Sequence, residues 1–230
     1  MTKFCLVING DSYYKPFDHL GLQFTNQIDI LRYYPHKVGL VVFTGGEDIS
    51  PHLYDHDNVC SYTNPSRDVE EVEVYEMALS AKIPMAGICR GAQFLCAMAG
   101  GKIVQDITHH GQNHHVRYIT EDGGEATSPE PITSTHHQMQ FPWSIGDQNF
   151  DILAWSEAPR SRHYQFGHKR ILAKDAGRQF TIEPDVVYYR NINALAMQYH
   201  PEWMSNDSWG MKFARNLISD FLLRGKAPRV

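Results

Sequence analysis

Cysteine is scarce in this sequence. Only four cysteines occur among the 230 residues, with no C-x-x-C pair among them: Cys5, Cys60, Cys89 and Cys96. This excludes a disulfide framework and the usual zinc or dithiol redox motifs. We therefore expect a protein of a reducing compartment.

The sequence also lacks an excess of basic residues and any long apolar run. Lys and Arg number 21 against 26 Asp and Glu, a formal net charge of −5, which argues against nucleic acid or an anionic membrane surface as the main partner. The weakly polar stretch 83–101 contains Arg90 near its middle and is broken by proline and glycine, so no membrane span is expected. The apolar run 4–9 is too short for a signal peptide. These features predict a cytoplasmic protein.

Apolar runs alternate with helical patterns over the first hundred residues and again near the C-terminus. Strands are predicted at 4–9, 38–43, 83–88 and 193–198, and helices at 23–34, 67–82 and 209–223. Such alternation requires parallel strands joined by right-handed crossovers. We expect an α/β fold with a doubly wound, mostly parallel central sheet and helices on both faces. The polar, His-rich middle, about 105–179, is expected to add a small extra β region.

The length of the chain limits its organisation. At 230 residues it suits a single domain, 1–230, with a sizeable core. A catalytic unit of about 200 residues would leave no room for a second enzyme domain.

The segment Gly87-Ile-Cys89-Arg90-Gly91 directly follows a predicted strand. A glycine two residues before and two after a nucleophile is what a tight strand-to-helix elbow requires, because side chains there would collide with the neighbouring backbone. The elbow would place Cys89 at a helix N-terminus, where the dipole favours thiolate over thiol. By itself, the short motif is equally compatible with a buried cysteine beside two incidental glycines.

His200 follows the predicted strand 193–198, and Glu202 lies two residues further on. In open α/β sheets the carboxyl ends of the strands line one crevice, so His200 can meet Cys89 there. His200 would then take the thiol proton and return it to a leaving amine, while Glu202 orients the imidazole. A lone histidine is more often structural, but a histidine and a cysteine at two strand ends favour a catalytic triad.

Gly45 and Gly46 follow the buried strand 38–43. Paired glycines let backbone N–H groups approach a ligand closely. We expect the N–H groups of Gly46 and Arg90 to form an oxyanion hole. A plain tight turn is the alternative, since neither a phosphate loop nor a dinucleotide-binding glycine pattern is present.

Six motifs occur in order between residues 45 and 203. They are Gly45-Gly-Glu-Asp-Ile-Ser-Pro51-His-Leu-Tyr54, Arg67-Asp68 with Glu71, Gly87-Ile-Cys-Arg-Gly-Ala-Gln93, Gly100-Gly-Lys-Ile-Val-Gln105-Asp106, Thr135-His-His-Gln138 and His200-Pro-Glu-Trp203. In this order they resemble the class I glutamine amidotransferase-like superfamily, most of all its γ-glutamyl-γ-aminobutyrate hydrolase branch. The resemblance implies a flavodoxin-like fold and a triad of Cys89, His200 and Glu202. It also implies a substrate pocket whose residues meet the glutamyl end: Gln93, His136, His137 and Gly45.

The resemblance implies hydrolysis of a γ-glutamyl amide, in a conjugate or in glutamine, through a γ-glutamyl thioester and without a cofactor or metal. Three alternatives stay open: a free-standing hydrolase of a small γ-glutamyl conjugate, a glutaminase subunit that delivers ammonia to a separate synthetase, and a catalytically idle binding protein. The absence of room for a fused acceptor domain favours the first. A homodimer is an equally open assembly.

Two features lie outside these motifs. A histidine cluster, 109–115, has no adjacent cysteine or carboxylate, so loop histidines are expected rather than a metal site. The segment 160–178 carries six basic residues and one acidic residue. Such a run is ordinarily a solvated surface. The alternative is that it lines the mouth of the crevice and attracts an anionic leaving group, such as a phosphate or nucleotide.

Overall fold

The computed structural model describes residues 3–223, and both ends of the expected 1–230 domain lie outside the described residues. Its strands are β1 (Phe4–Ile8), β2 (Gln23–Thr25), β3 (Val38–Phe43), β4 (Met85–Ile88), β5 (Lys102–Val104), β6 (Asp106–Ile107), β7 (Val116–Ile119), β8 (Glu125–Thr127), β9 (Met139–Phe141), β10 (Phe150–Ser156), β11 (His163–Phe166), β12 (Lys169–Leu172), β13 (Pro184–Tyr189) and β14 (Ala194–Met197). Its α-helices are α1 (Asp29–Tyr33), α2 (Pro65–Ser80), α3 (Arg90–Met98), α4 (Arg178–Thr181) and α5 (Trp209–Leu217). Two 3₁₀ helices, Asp11–Leu20 and Pro201–Trp203, also contribute to the site.

One large sheet dominates the fold. Within residues 3–223 it has nine strands in the order β2-β1-β3-β4-β14-β13-β10-β7-β8. The strands from β2 to β14 in this order run parallel. β3, β4 and β14 lie side by side, with Phe43 beside Gly87 and Gly87 beside Ala196. Because parallel neighbours end at the same edge, the segments that follow these three strands meet there.

Both faces of the parallel strands are buried, as their continuous apolar sequences require. In β3, Val41 and Phe43 belong to the core that α2 and α3 cover, whereas Leu40 and Val42 belong to the core that α5 and the 3₁₀ helix Asp11–Leu20 cover. The expected α/β fold with helices on both faces is confirmed. No helix within residues 3–223 combines the length and apolarity that crossing a bilayer needs.

The middle of the chain contributes more β structure than a small insertion. β13, β10, β7 and β8 extend the large sheet with antiparallel pairing, so this sheet is mixed. Two smaller sheets, β12-β11-β6 and β5-β9, lie beside it. A separate apolar cluster joins them and includes Phe141, Tyr164 and Phe180. These short strands carry little periodicity of their own and depend on tertiary pairing.

The predicted helix 23–34 is wrong in its first half. Gln23 pairs with Phe4 in parallel, so 23–25 forms the edge strand β2, and the helix begins only at Asp29. The hydrogen bond from Gln27 N–H to Thr25 Oγ1 stabilises the turn between them. Hydrogen bonding to an open sheet edge outweighs the helical spacing of the apolar residues.

Candidate active site

Cys89 lies on a sharp turn between β4 and α3, and its backbone φ is +53°. A Cβ on Gly87 would lie closer than 3.0 Å to the carbonyl oxygen of Gly91, and a Cβ on Gly91 would lie equally close to the carbonyl oxygen of Phe43. Both obstacles are backbone atoms, so neither glycine can carry a side chain without moving a strand or the helix. The N–H of Cys89 donates to the carbonyl of Met197 at 2.8 Å, which ties the turn to β14. The structure therefore has the predicted elbow.

The segment after β14 brings His200 and Glu202 to this elbow. His200 Nδ1 lies 2.7 Å from Glu202 Oε1, and both side chains are buried. The Cys89 thiol lies close enough to the imidazole to raise its pKa. The Thr133 hydroxyl donates to the His200 carbonyl at 2.6 Å, and the Trp203 ring stacks on the imidazole with centroids 3.8 Å apart. These contacts hold His200 in place.

The pKa of His200 reflects these contacts. Burial disfavours the imidazolium, but hydrogen bonds and charge interactions with Cys89 and Glu202 outweigh it and raise the pKa to about 9. With Nδ1 bonded to Glu202, the other ring nitrogen is available to the thiol. The arrangement suits proton transfer between sulfur, imidazole and a leaving group.

A pocket of about 170 Å³ opens beside Cys89. Most of the residues predicted from sequence line it together: Gly46, Cys89, Arg90, Gln93, His136 and His137. Gly45 lies next to this group, beside His200, because a Cβ there would lie 3.3 Å from His200 Cε1. Glu47, Asp48 and Tyr62 also line the pocket and were not predicted as site residues.

The pKa values of the two neighbouring histidines of the pocket are shifted in opposite directions. His136 Nδ1 lies 2.8 Å from the Gln138 carbonyl, which can only accept, so this nitrogen carries the proton. Burial and the nearby His110 hold the pKa of His136 well below 6.5, which leaves a neutral ring whose Nε2 is an acceptor. A hydrogen bond to Asp48, 3.0 Å long, raises the pKa of His137. The pocket thus combines a neutral acceptor with a histidine that is hydrogen-bonded to a carboxylate.

A family model for Peptidase C26 matches residues 20–202. The chain belongs to the Peptidase C26 family. A glutamine amidotransferase from Thermotoga maritima has the same fold, with a TM-score of 0.53 at 15% identity, covering 100% of this chain and 88% of that chain. The predicted superfamily and fold are therefore confirmed.

Proteins that are similar to this chain in sequence are named as glutamine amidotransferase-like proteins or γ-glutamyl hydrolases. YvdE of Lactococcus lactis, named as glutamine amidotransferase-like, is 27% identical over 72% of this chain and 66% of its own length. The γ-glutamyl-γ-aminobutyrate hydrolase of Shigella flexneri is 30% identical over 75% of this chain and 67% of its own length. The γ-glutamyl-CDP-amidate hydrolase of Campylobacter jejuni is 36% identical over 47% of this chain and 49% of its own length. The chain thus matches about half to two thirds of these relatives.

Arg90 of this C26 chain has a second role besides its backbone N–H. Its side chain is 1% exposed and ion-pairs with Asp68 and Glu71 on α2. A buried guanidinium is tolerated only when it is paired and hydrogen-bonded. The pairs bind the N-terminus of α3, and hence the elbow, to α2.

Arg67 extends this network to the glycine loop. Its Nε donates to the buried carboxylate of Glu71 at 2.8 Å. Its guanidinium also donates to the carbonyl oxygens of Thr44 and Gly45, each at 3.0 Å. The carbonyls of the loop therefore point at Arg67. The sequence motif contained Arg67, Asp68 and Glu71, but only the structure reveals this role.

Tyr13 is a site residue that sequence reasoning missed. It comes from the 3₁₀ helix Asp11–Leu20, outside the residues that the C26 family model matches. Its hydroxyl lies against Gly45 on the side of His200. No sequence signal marks it, because the segment around it carries no motif.

The histidine cluster is partly buried rather than a free loop. His110 Nε2 lies 2.9 Å from Glu183, and His114 Nε2 lies 3.1 Å from Asp185. No carboxylate is adjacent to these histidines in sequence, and their partners Glu183 and Asp185 come from the segment around β13. Among residues 3–223, no group of three or more His, Cys, Asp or Glu has an arrangement that could hold a metal ion.

The basic segment 160–178 lies on and around the β11–β12 hairpin. In the described part of the chain, none of its basic residues lines the pocket. Arg160 donates to the His109 carbonyl, and Arg170 contacts the His163 ring. The hypothesis that this segment lines the mouth of the crevice gains no support from these positions.

The elbow predicts that Gly91→Ala is destabilising. The added methyl group would overlap the Phe43 carbonyl and force α3 away from β3, lowering the free energy of unfolding by about 2 kcal/mol or more. Urea denaturation measures this. Gly111→Ala is the matched control, because nothing lies within 4 Å of a Cβ there. Equal stability of the two variants would contradict the steric interpretation.

The contacts of His200 predict that Glu202→Gln lowers its pKa. The wild-type value is about 9, and loss of the carboxylate charge is expected to lower it by about one unit or more. NMR of ring-labelled histidine, with the signal assigned by its loss in His200→Asn, measures the titration. Glu47→Gln removes a carboxylate that lines the pocket beside Cys89 and serves as the control. A similar shift in both variants would show a general field effect instead of a specific pair.

Proposed function

We propose that this protein is a cysteine hydrolase that cleaves the γ-glutamyl amide bond of a small γ-glutamyl conjugate. One observation carries the proposal: Cys89, on a strained elbow at a pocket, lies close enough to His200 to raise the pKa of its imidazole, and His200 Nδ1 is 2.7 Å from buried Glu202. The nucleophile, the base and the orienting carboxylate are thus neighbours in the order that a catalytic triad needs.

The first half-reaction forms a thioester. Cys89 gives its thiol proton to His200 as its sulfur attacks the γ-carbonyl carbon, and the charge that develops on the carbonyl oxygen is met by the N–H groups of Gly46 and Arg90. The Arg90 N–H is at the first position of α3, where no intrahelical acceptor exists. His200 gives its proton to the amide nitrogen, the C–N bond breaks, and the amine leaves with a γ-glutamyl group on sulfur.

The second half-reaction releases glutamate. With the amine gone, water approaches the thioester from the side of His200. His200 takes a proton from this water as it attacks the carbonyl carbon. The C–S bond then breaks, glutamate leaves, and the proton that His200 took restores the starting thiol and imidazole pair.

The size and lining of the pocket favour the glutamyl group as the part of the substrate that it encloses. Its volume of about 170 Å³ is small beside the roughly 300–1,000 Å³ of pockets for larger ligands. The Gln93 amide, the His136 acceptor and the His137–Asp48 pair offer the mixture of donors and acceptors that an α-ammonium and an α-carboxylate need. The group on the γ-nitrogen would then extend out of the pocket past His200.

The names of the relatives support the same class of substrate. The Shigella flexneri and Campylobacter jejuni relatives are named as hydrolases of a γ-glutamyl aminobutyrate and a γ-glutamyl CDP-amidate. In both compounds the group on the γ-nitrogen carries anionic oxygens. We therefore favour a conjugate with an anionic leaving group over glutamine. A glutaminase that supplies a separate synthetase would show the opposite preference and stimulation by its partner.

Cys89→Ala is expected to lower glutamate release from γ-glutamyl amides by about 10⁴-fold or more, because no nucleophile remains. Wild-type enzyme incubated with a slow substrate or an electrophilic glutamine analogue should gain a γ-glutamyl adduct on Cys89, detected by intact and peptide mass spectrometry. Cys60→Ala, at an exposed cysteine, is the control and should retain activity. An adduct on Cys96, or activity retained in Cys89→Ala, would refute the proposal.

The raised pKa of His200 predicts an alkaline limit to activity. The imidazolium is the acid that protonates the leaving nitrogen, so kcat/KM is expected to fall as pH rises through about 9. Glu202→Gln, which lowers this pKa, should move the descending limb to lower pH. A pH profile of kcat/KM for both proteins measures it. If the descending limb is unchanged in the variant, the group that titrates there is not His200.

A further inference from the structure

Tyr13 occupies a space that two glycines keep open. A Cβ on Gly10 would lie 2.6 Å from the Tyr13 ring, and a Cβ on Gly45 would lie 2.5 Å from the Tyr13 hydroxyl oxygen. The same Cβ on Gly45 would lie 3.3 Å from His200 Cε1. The phenol oxygen and the edge of the imidazole therefore converge on the same side of Gly45.

The hydroxyl of Tyr13 can donate one hydrogen bond. The Gly45 backbone interacts with the phenol oxygen, and a phenol that accepts there still has its own O–H to donate. Burial and the nearby charges of Glu202 and Cys89 raise the pKa of Tyr13 to about 12. The group is therefore a neutral donor at the pH values at which the site would work, and the residue is half-buried.

The position of Tyr13 relates it to the leaving group rather than to the glutamyl end. The pocket beside Cys89 extends toward Gln93, His136 and His137, and Tyr13 is not among the residues that line it. The scissile nitrogen must lie next to His200, which protonates it. A group carried by that nitrogen, directed away from the pocket, reaches the side of His200 where the Tyr13 hydroxyl lies.

We propose that Tyr13 is a specificity-determining residue that donates a hydrogen bond to an acceptor on the leaving group. This inference rests on the proposed function. It selects γ-glutamyl amides whose amine carries an oxyanion, a carboxylate or a phosphoryl group, because a charged acceptor strengthens the bond. Glutamine is disfavoured, because its leaving ammonia carries no acceptor. Tyr13 lies outside residues 20–202, the span that the family model matches.

Tyr14 provides a matched comparison. It has the same side chain one position along the same 3₁₀ helix, but it is 48% exposed and its ring packs against Phe24, with centroids 5.3 Å apart. Tyr14→Phe therefore removes a phenol hydroxyl from the same helix without touching the site.

Three synthetic amides of nearly equal shape test the proposal. They join γ-glutamate to n-butylamine, to γ-aminobutyrate and to 3-aminopropylphosphonate, so they present no acceptor, a carboxylate and a phosphonate. For each protein the ratio of kcat/KM between an acceptor-bearing amide and the butylamide is taken within one preparation, so any misfolded fraction cancels. In Tyr13→Phe this ratio is expected to fall by about tenfold for at least one acceptor. Tyr14→Phe should keep the wild-type ratios.

The outcomes separate the two levels of inference. A fall confined to the carboxylate or to the phosphonate identifies which oxyanion Tyr13 binds. The assignment of Tyr13 is overturned if the ratios are unchanged in Tyr13→Phe, or if kcat/KM falls equally for all three amides. In either case, glutamate release that depends on Cys89 would still uphold the proposed function. If wild-type protein hydrolyses none of the three, nor glutamine, the proposed function fails and the role of Tyr13 fails with it.

Discussion

Close backbone contact between the N-terminus of α3 and the ends of β3 and β4 is the constraint on which the site depends. Gly91 lies against the Phe43 carbonyl, and Gly87 lies against the Gly91 carbonyl, with no room for a side chain at either position. This contact compresses the turn so that Cys89 adopts a positive φ and stands above the edge of the sheet. Because β14 lies next to β4 in the sheet, His200, which follows β14 by three residues, reaches the elbow without a long loop.

The compressed turn is held from the opposite side by buried charge. The Arg90 side chain pairs with the carboxylates of Asp68 and Glu71 on α2, while Arg67 joins Glu71 to the glycine loop. Buried ion pairs contribute little net stability, but they are directional, and an unpaired member would be costly. The network therefore fixes where the loop and the elbow lie relative to each other. The same residue, Arg90, supplies both a backbone N–H on one side and an anchor on the other.

The histidines around the site show how burial sorts charge. His200 is buried but has two partners that favour its charged form, whereas His136 is buried beside other histidines and remains neutral. A second imidazolium at His136 would repel the first across a medium of low dielectric constant. His110 and His114, further from the thiol, each have a carboxylate of their own. Positive charge is thus stabilised at His200, and it is opposed at His136, which lines the pocket.

Local spacing in the sequence determined the elements that are buried on both faces and the residues that end them. The run 38–43 forms a strand with the predicted bounds. The elbow glycines could be recognised because backbone sterics act over a few residues, and the residues after β14 could be recognised because they follow an apolar strand. Tertiary structure decided the rest. The segment 23–25 became a strand because a sheet edge was available to it, the carboxylate partners of His110 and His114 lie 73 and 71 residues away, and Tyr13 reaches the site from a segment without a motif. Contacts between distant segments leave no periodic trace in sequence, since each depends on where the chain folds back.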